Sequence, residues 1–442
     1  MVKVSIIMPS LNVKPYINEC IESVINQTLE DIEIICVDAG STDGTFEILQ
    51  EYANNDKRMK LIKADKRSYG YQMNLGISIA TGEYVGIVET DDFIEPHMYE
   101  RLYSTAKKSN AQVVKANFSF FKGNGEERVF TNTAIINKKE YYACILNPQE
   151  TPELLTHMFP TINCAGVYEL KFLTENNIFH NETPGASYQD NGFYFQICCF
   201  TERLFLINDD LYKVRRDRPE SSIYNKDNVW VILDEYSFIY DFLCKDVLRK
   251  ERFSAFFWFK KFSAYYYTLN RIAFIYKLDF LKLFSDEFKY AFDSSYLKLD
   301  YFSKLRTKIV HNIMNDYEAY FYRHIYKEAE LPKPENENQE MVNLKYMYKA
   351  RCYKIKNLPL LLSRNSVVPD IYKVKYYQKK DLERQIKTIE ASYIYKIACL
   401  AAFLSHITFL FRYYFERFLD TAKNQGLSKA FQKAKQYLYN PK

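Results

Sequence analysis

The feature that most constrains this chain is an alternation running from residue 2 to 120, in which short apolar runs ended by turn residues are each followed by helical spacing. Parallel strands need crossovers long enough to hold a helix, so this rhythm predicts an α/β fold with a mostly parallel sheet and flanking helices. Strands are expected over 4–9, 32–37, 59–64, 84–89 and 112–117. A helix over 16–27 would place Ile17, Cys20, Ile21, Val24 and Ile25 on one face, and another is expected over 45–53. Pro15 and Pro96 each suit a helix start.

Residues 121–186 break the alternation with hairpins, loops and short helices, an insertion of the kind that shapes a second substrate site. A helix over 190–200 and a strand over 204–212 then close a first domain, 1–225. Residues 226–330 read as helical and aromatic, and LPKPENENQE, 331–340, reads as a polar linker. Residues 341–442 read as a basic, mainly α-helical C-terminal region.

The formal net charge of +5 hides an asymmetry. Residues 341–442 carry 20 Lys or Arg against 6 Asp or Glu, giving +14 there and −9 for the rest. A nucleic-acid reader would carry its basic charge on the folded reading domain, so no nucleic-acid partner is expected, and an anionic membrane surface suits the basic tail better. Nine cysteines without a CxxC pair and an N-terminus without a secretory signal point to a cytoplasmic location. The richness in Tyr, Phe, Lys, Ile and Asn is the composition that an A- and T-rich genome produces.

Two acidic positions stand where chemistry belongs in an open α/β sheet, at the carboxyl ends of strands, and a third opens a helix. Asp38 opens a loop rich in Gly, Ser and Asp that offers a nucleotide site or, structurally, an Asx-type turn capping the next helix. Glu89, Thr90, Asp91 and Asp92 end an apolar run in hard oxygen ligands suited to Mg²⁺ or Mn²⁺ with substrate phosphates, or form a solvated loop. Asp92 is expected on a ligand-facing loop outside the core. Asp190, in SYQDNGFYFQ, is placed to act as a general base or to cap its helix. The six histidines have no metal-ligand spacing, and GxGxxG, GxSxG and Walker loops are missing.

The segments VSIIMPSLN, INQTLEDIEIICVDAGSTDGT, MNLGISIATGEYVGIVETDD and SYQDNGFYFQ together resemble family 2 glycosyltransferases of the GT-A fold, over about residues 1–225. The resemblance implies an inverting transfer from a nucleotide-diphosphate sugar, commonly a uridine one, to a hydroxyl of a glycan or lipid-linked acceptor. Asp38 would sit by the nucleotide base, Asp91 by the ribose and Asp92 on the metal, with Asp190 as general base. Pro9 and Asn12 match the loop that begins the donor pocket. Two positions depart from the pattern: Ala39 replaces a second acid, and Met73 replaces an Arg before Asn74. Lys66 or Arg67 is then a candidate for the phosphate role, against the plain reading of a solvated pair. Arg215 and Arg216 match a basic loop over the diphosphate.

A catalytically silent, nucleotide-sugar-binding or scaffold member of a polysaccharide assembly complex is the competing reading, supported by Ala39. In the tail, IACLAAFLSHITFLF, 397–411, spans about 22 Å as a helix, short of the ~30 Å hydrocarbon core. It is expected to lie peripherally on the inner face of the cytoplasmic membrane, with lysines after Gly426 toward anionic headgroups, or else to pack into a helical domain or a homo-oligomer interface.

Overall fold

The structure, a computed structural model, describes residues 1–158 and 162–362. The membrane-anchor expectation for 397–411 and for the helix after Gly426 lies outside the described residues. Ten strands form one sheet: β1 (Val4–Ser10), β2 (Ile32–Asp38), β3 (Met59–Lys63), β4 (Tyr84–Ile87), β5 (Phe93–Ile94), β6 (Val113–Lys122), β7 (Val129–Thr133), β8 (Ile145–Leu146), β9 (Gly166–Glu169) and β10 (Leu204–Arg215). The main order is β3-β2-β1-β4-β9-β6-β10-β5, with β7 on β6 and β8 on β10. Strands β3, β2, β1 and β4 are parallel, and β6 and β10 are parallel to each other. Strand β9 runs antiparallel between β4 and β6. The expected strands form within a residue or two of their predicted bounds, except that β6 runs on to Lys122 and β10 to Arg215.

Every residue of β1 and β2 is buried, as strands covered on both faces must be. The covering helices are α1 (Ile17–Ile25), α2 (Thr45–Asn55), α3 (Tyr69–Ile79), α4 (Met98–Ser109), α5 (Leu170–Glu175) and α6 (Gln189–Phe200). Helix α3 lacks a clean apolar stripe, because its buried face includes Gly70, Gln72 and Gly76. A Cβ on Gly76 would lie 2.6 Å from Ile7 Cγ2, so the glycine lets α3 sit directly on β1. Ser68 caps α3 by accepting from Tyr71 N–H.

Helices α7 (Val231–Cys244), α8 (Val247–Arg271), α9 (Lys277–Asp293) and α10 (Lys304–Asn315) follow. Residues 1–317 pack as one compact unit, and the described residues from 318 on belong to a second. The change of composition at 225 is therefore not a break in packing. The aromatic richness, read from sequence as compositional bias, builds the interior here: Phe262 and Tyr265 of α8 meet Phe280, Phe284 and Phe288 of α9, and Phe256 stacks on Phe195 of α6. In the second unit lie α11 (Tyr317–His324) and α12 (Glu337–Leu362). The expected linker is non-helical only to residue 336, and Asn343 of α12 donates to the Pro332 carbonyl. Among the described residues, no helix is long and apolar enough to cross a membrane.

One buried ion holds the amino-terminal edge of the sheet together. Glu33, 4 % exposed, accepts from Ser5 Oγ, from the Thr81 amide and hydroxyl, and from Lys60 Nζ. Burial alone would push its carboxyl up, but bonds from Lys60, Ser5 and Thr81 outweigh it and bring it to about 2, from an ordinary 4.5. The stability this contributes is complete above pH 4.5 and is lost as pH falls toward 2. Glu33→Ala should cost about 1–3 kcal/mol in urea unfolding at pH 7, because the buried Ser5 hydroxyl is left without its acceptor and Thr81 and Lys60 lose their bonds to the carboxylate. The difference from wild type should shrink below pH 4, and a pH-independent difference would contradict this account.

Candidate active site

The strand ends carrying the candidate residues meet at the carboxyl edge of the sheet. Gln72 of α3, buried, donates its side-chain amide to the Ser10 and Val37 carbonyls and so fixes the ends of β1 and β2 side by side. Asn12, at φ +53°, donates its N–H to Ser41 Oγ and accepts from Thr42 N–H through Oδ1. Asp43 accepts from Thr45 N–H and Oγ1 and from Lys14 N–H. The loops after β1 and β2 are thus one hydrogen-bonded piece at the mouth of the sheet.

Asp38 is fully buried, and its carboxylate accepts from the Gly40 and Ser41 amides and the Ser41 hydroxyl. It forms the Asx-type turn of the structural reading, while Asp43 serves the start of α2. Where a contact to a nucleotide base is expected of Asp38, its carboxylate here shapes its own turn. Ala39 is buried beside it. Pro9 lies in β1, and its carbonyl accepts from Thr90 Oγ1, joining the donor loop to the acid loop.

The acid loop divides into two roles. Asp92, 5 % exposed, accepts from Tyr212 O–H through Oδ2 and from the Arg215 amide through Oδ1. Burial, then the charge of Asp91, pushes its carboxyl well above the usual range. The expectation of a ligand-facing Asp92 is corrected: both oxygens are committed inside the protein. Asp91 is more open, with its side chain 21 % exposed and Oδ2 paired to Arg218 Nη1 at 3.0 Å. Glu89 accepts from Tyr69 O–H at 2.6 Å. Burial pushes its carboxyl up to about 7, and the charges of Asp91 and Asp190 add to that rise.

Asp190 is the second residue of α6. The cap position belongs to Tyr188, at φ +70°, whose side chain caps nothing, so Asp190 is not the helix cap. Burial raises its carboxyl from the ordinary 3.8, against the pull of Lys260 and of Asn191, whose Nδ2 donates to Oδ1. The segment before it is pinned to α3, with Gly185 N–H donating to the Arg67 carbonyl and Tyr69 N–H to the Gly185 carbonyl.

The basic residues separate by placement. Arg67 is exposed over the donor loop and donates to the Gly40 carbonyl. Lys66 instead pairs with Glu182 at 3.2 Å and stacks over Tyr71, as the plain surface reading has it. Asn74 spends its amide on the His180 backbone and on Glu182, fastening α3 to the 180–182 segment. Arg215 is corrected from a diphosphate contact to a buried brace, because its guanidinium donates to Glu19, Asp217 and the Asp91 carbonyl. Arg216 stacks on Phe120, 4.3 Å from the ring centroid. Arg218, missed from sequence, reaches both Asp91 and the Asn12 carbonyl. Its signal was the third arginine of RRDR, beyond the pair that fit the pattern.

For a divalent metal, Asp91 supplies one partly exposed carboxylate with no partner for Oδ1 among the described residues, and Glu89 stands two residues before it. No group of three or more His, Cys, Asp or Glu able to hold an ion occurs among the described residues. The donor set fits an ion that takes one or two carboxylates and fills its remaining positions with phosphate oxygens, and does not fit an all-protein cage.

Comparison with known proteins agrees with this arrangement. Residues 5–165 match Glycosyl transferase family 2. The chain is 31% identical over 223 residues to the uncharacterized glycosyltransferase EpsJ of Bacillus subtilis, covering 49% of this chain and 62% of EpsJ. It is 28% identical over 216 residues to the glycosyltransferase GlyG of Streptococcus pneumoniae serotype 4, covering 48% of this chain and 70% of GlyG. The chain thus spans less than two thirds of the length of EpsJ. The crystal structure of S. aureus TarS 1-349 in complex with UDP-GlcNAc shares the fold with a TM-score of 0.53 at 17% identity, covering 72% of this chain and 92% of that one. The matched residues hold the donor loop, the Asp38 turn and the acid loop, so the likeness to Glycosyl transferase family 2 rests on the N-terminal part of the chain that carries them.

Proposed function

We propose that the protein is an inverting glycosyltransferase that moves a sugar from a nucleotide-diphosphate sugar to a hydroxyl of a glycan or lipid-linked acceptor. The observation that carries this reading is the acid loop of Glu89, Asp91 and Asp92 after β4, bonded through Thr90 to the end of β1, together with Asp190 on the first turn of α6, whose preceding segment is fastened beside α3 at Arg67 and Tyr69. That TarS, which shares the fold, was crystallised with UDP-GlcNAc and with UDP supports a uridine diphosphate donor. The strand-end position suits a nucleotide, since loops diverge there and helix N-termini leave amides unpaired.

In this reading Asp190 takes the proton from the acceptor hydroxyl. The oxygen attacks the anomeric carbon opposite the leaving group, and the bond to the diphosphate breaks. Mg²⁺ or Mn²⁺, when bound, supplies charge neutralisation to the departing diphosphate. Asp91 would hold it, with Asp92 fixing the loop from behind, which moves the direct-ligand role expected of Asp92 to its neighbour. Arg218 and Arg67 flank the donor loop as protein cations for the phosphates.

Two predictions follow from this division of labour. Asp91→Ala should keep its melting temperature and lose divalent-dependent release of nucleoside diphosphate. Asp92→Ala should lose activity together with stability, by about 1–3 kcal/mol, because Tyr212 O–H and the Arg215 amide lose their acceptor. A fully active Asp91→Ala, or wild type unaffected by excess chelator, would remove the metal from this reading.

Asp190→Asn keeps the shape and loses the basicity, so turnover should fall by about 10²- to 10⁴-fold while donor affinity holds. Because burial raises this carboxyl, wild-type turnover should decline on the acid side at a higher pH than an ordinary aspartate near 3.8 would give. A screen of nucleotide sugars for nucleoside diphosphate release, with the anomeric configuration of product read by NMR, tests both. Less than a tenfold loss in Asp190→Asn, or an α-linked product from an α-linked donor, would defeat the assignment.

A further inference from the structure

Glu235 lies on α7, outside the family-matched residues, and is 1 % exposed. Its Oε1 accepts from the Gly192 amide at 2.6 Å, and its Oε2 accepts from Asn181 Nδ2 at 3.1 Å. Both contacts bear on Asp190. Gly192 belongs to the first turn of α6, two residues after Asp190. An ordinary helix would send its N–H to the Tyr188 carbonyl, but here that carbonyl accepts from the Asn191 amide and side chain, and Gly192 turns to Glu235. Asn181 lies in the segment that leads into α6, and its carbonyl lies against α3, where a Cβ on Gly70 would come within 1.9 Å of it. One carboxylate therefore ties α7 to the turn carrying Asp190 and to the strap before it.

The site is built for that carboxylate. A Cβ on Gly192 would lie 2.4 Å from Glu235 Oε1 and 2.8 Å from Phe238 Cε1, so a larger residue there displaces the acid. Burial pushes the Glu235 carboxyl up to about 8, opposed by its bonds from Asn181 and Gly192 and reinforced by the charge of Asp190. A buried acid so close to another is costly to keep as a mere packing element.

We propose that Glu235 is a positioning residue for the proton-accepting step: it anchors the first turn of α6 from α7 and thereby aims Asp190 at the acceptor hydroxyl. The proposal rests on the reading of Asp190 as general base. The full chain carrying Glu235→Leu, which keeps much of the volume and removes the acceptor, should lose kcat by about 10- to 100-fold, the scale of a small misplacement of a reacting group, with donor KM within about twofold. Glu235→Gln keeps an oxygen for Gly192 N–H and should restore most of kcat. Added to Asp190→Asn, Glu235→Leu should cause no further loss, since it acts through a base already removed. If Glu235→Leu does not fold, Gly192→Ala displaces the same carboxylate and should give the same kcat-specific loss.

Unchanged kcat in a folded Glu235→Leu or in Gly192→Ala overturns the proposal. So does a loss that Gln does not rescue, or one that adds to that of Asp190→Asn. If Asp190→Asn alone retains turnover, the base assignment falls first, and the positioning role falls with it. Loss in Asp190→Asn with a fully active Glu235→Leu removes only the positioning role.

Discussion

The architecture of the site depends on a buried carboxyl group, that of Asp92, held by two donors more than a hundred residues away. Tyr212 O–H and the Arg215 amide both come from the end of β10, and the same Tyr212 oxygen accepts from Glu89 N–H. The acid loop and the last strand are thereby closed onto each other. Arg215 extends the closure, since its guanidinium reaches Glu19 of α1 and the Asp91 carbonyl while its plane lies over Tyr16 and Phe121. Water competes poorly for donors and acceptors this deeply buried, so the loop has one well-determined shape. Asp91 can then present an open carboxylate because the acid beside it is fully occupied.

How much of this was legible in the sequence follows the range of the interactions. Apolar runs with turn residues at their ends placed the parallel strands, because burial on both faces leaves a continuous local signal. Helix α3 escaped, since its buried face uses Gly70, Gln72 and Gly76 for close approach and for stapling β1 to β2. The Asx-type turn at Asp38 was available as a local reading. Whether Asp91 or Asp92 faces the pocket was not, because Tyr212 and Arg215 decide it from across the sheet. Glu235 lay beyond reach for the same reason, since a partner more than forty residues away leaves no spacing to read, whereas Arg218 left only the third arginine of RRDR as a sign.

The C-terminal helices alter what counts as the catalytic unit. Composition changes at 225, yet α7 and α8 enclose α6 on the side away from the sheet, with Phe256 stacked on Phe195. Lys260, which burial brings down to about 8, pulls against the rise of the Asp190 carboxyl. The matched region, 5–165, holds the donor loops but ends before α6. In the proposed function, the donor loops therefore fall inside the matched region, and the residue read as general base falls outside it.

Tyr188 shows what that division implies for how such a protein can change. A non-glycine residue at φ +70° carries a conformational cost of about 1–3 kcal/mol. The cost is sustained because its hydroxyl is bonded to Thr268 and Arg271 of α8. Glycine would relax the backbone and release that grip. The strain at the start of α6 and the grip of α8 on it are thus one device, and neither can be relaxed without the other.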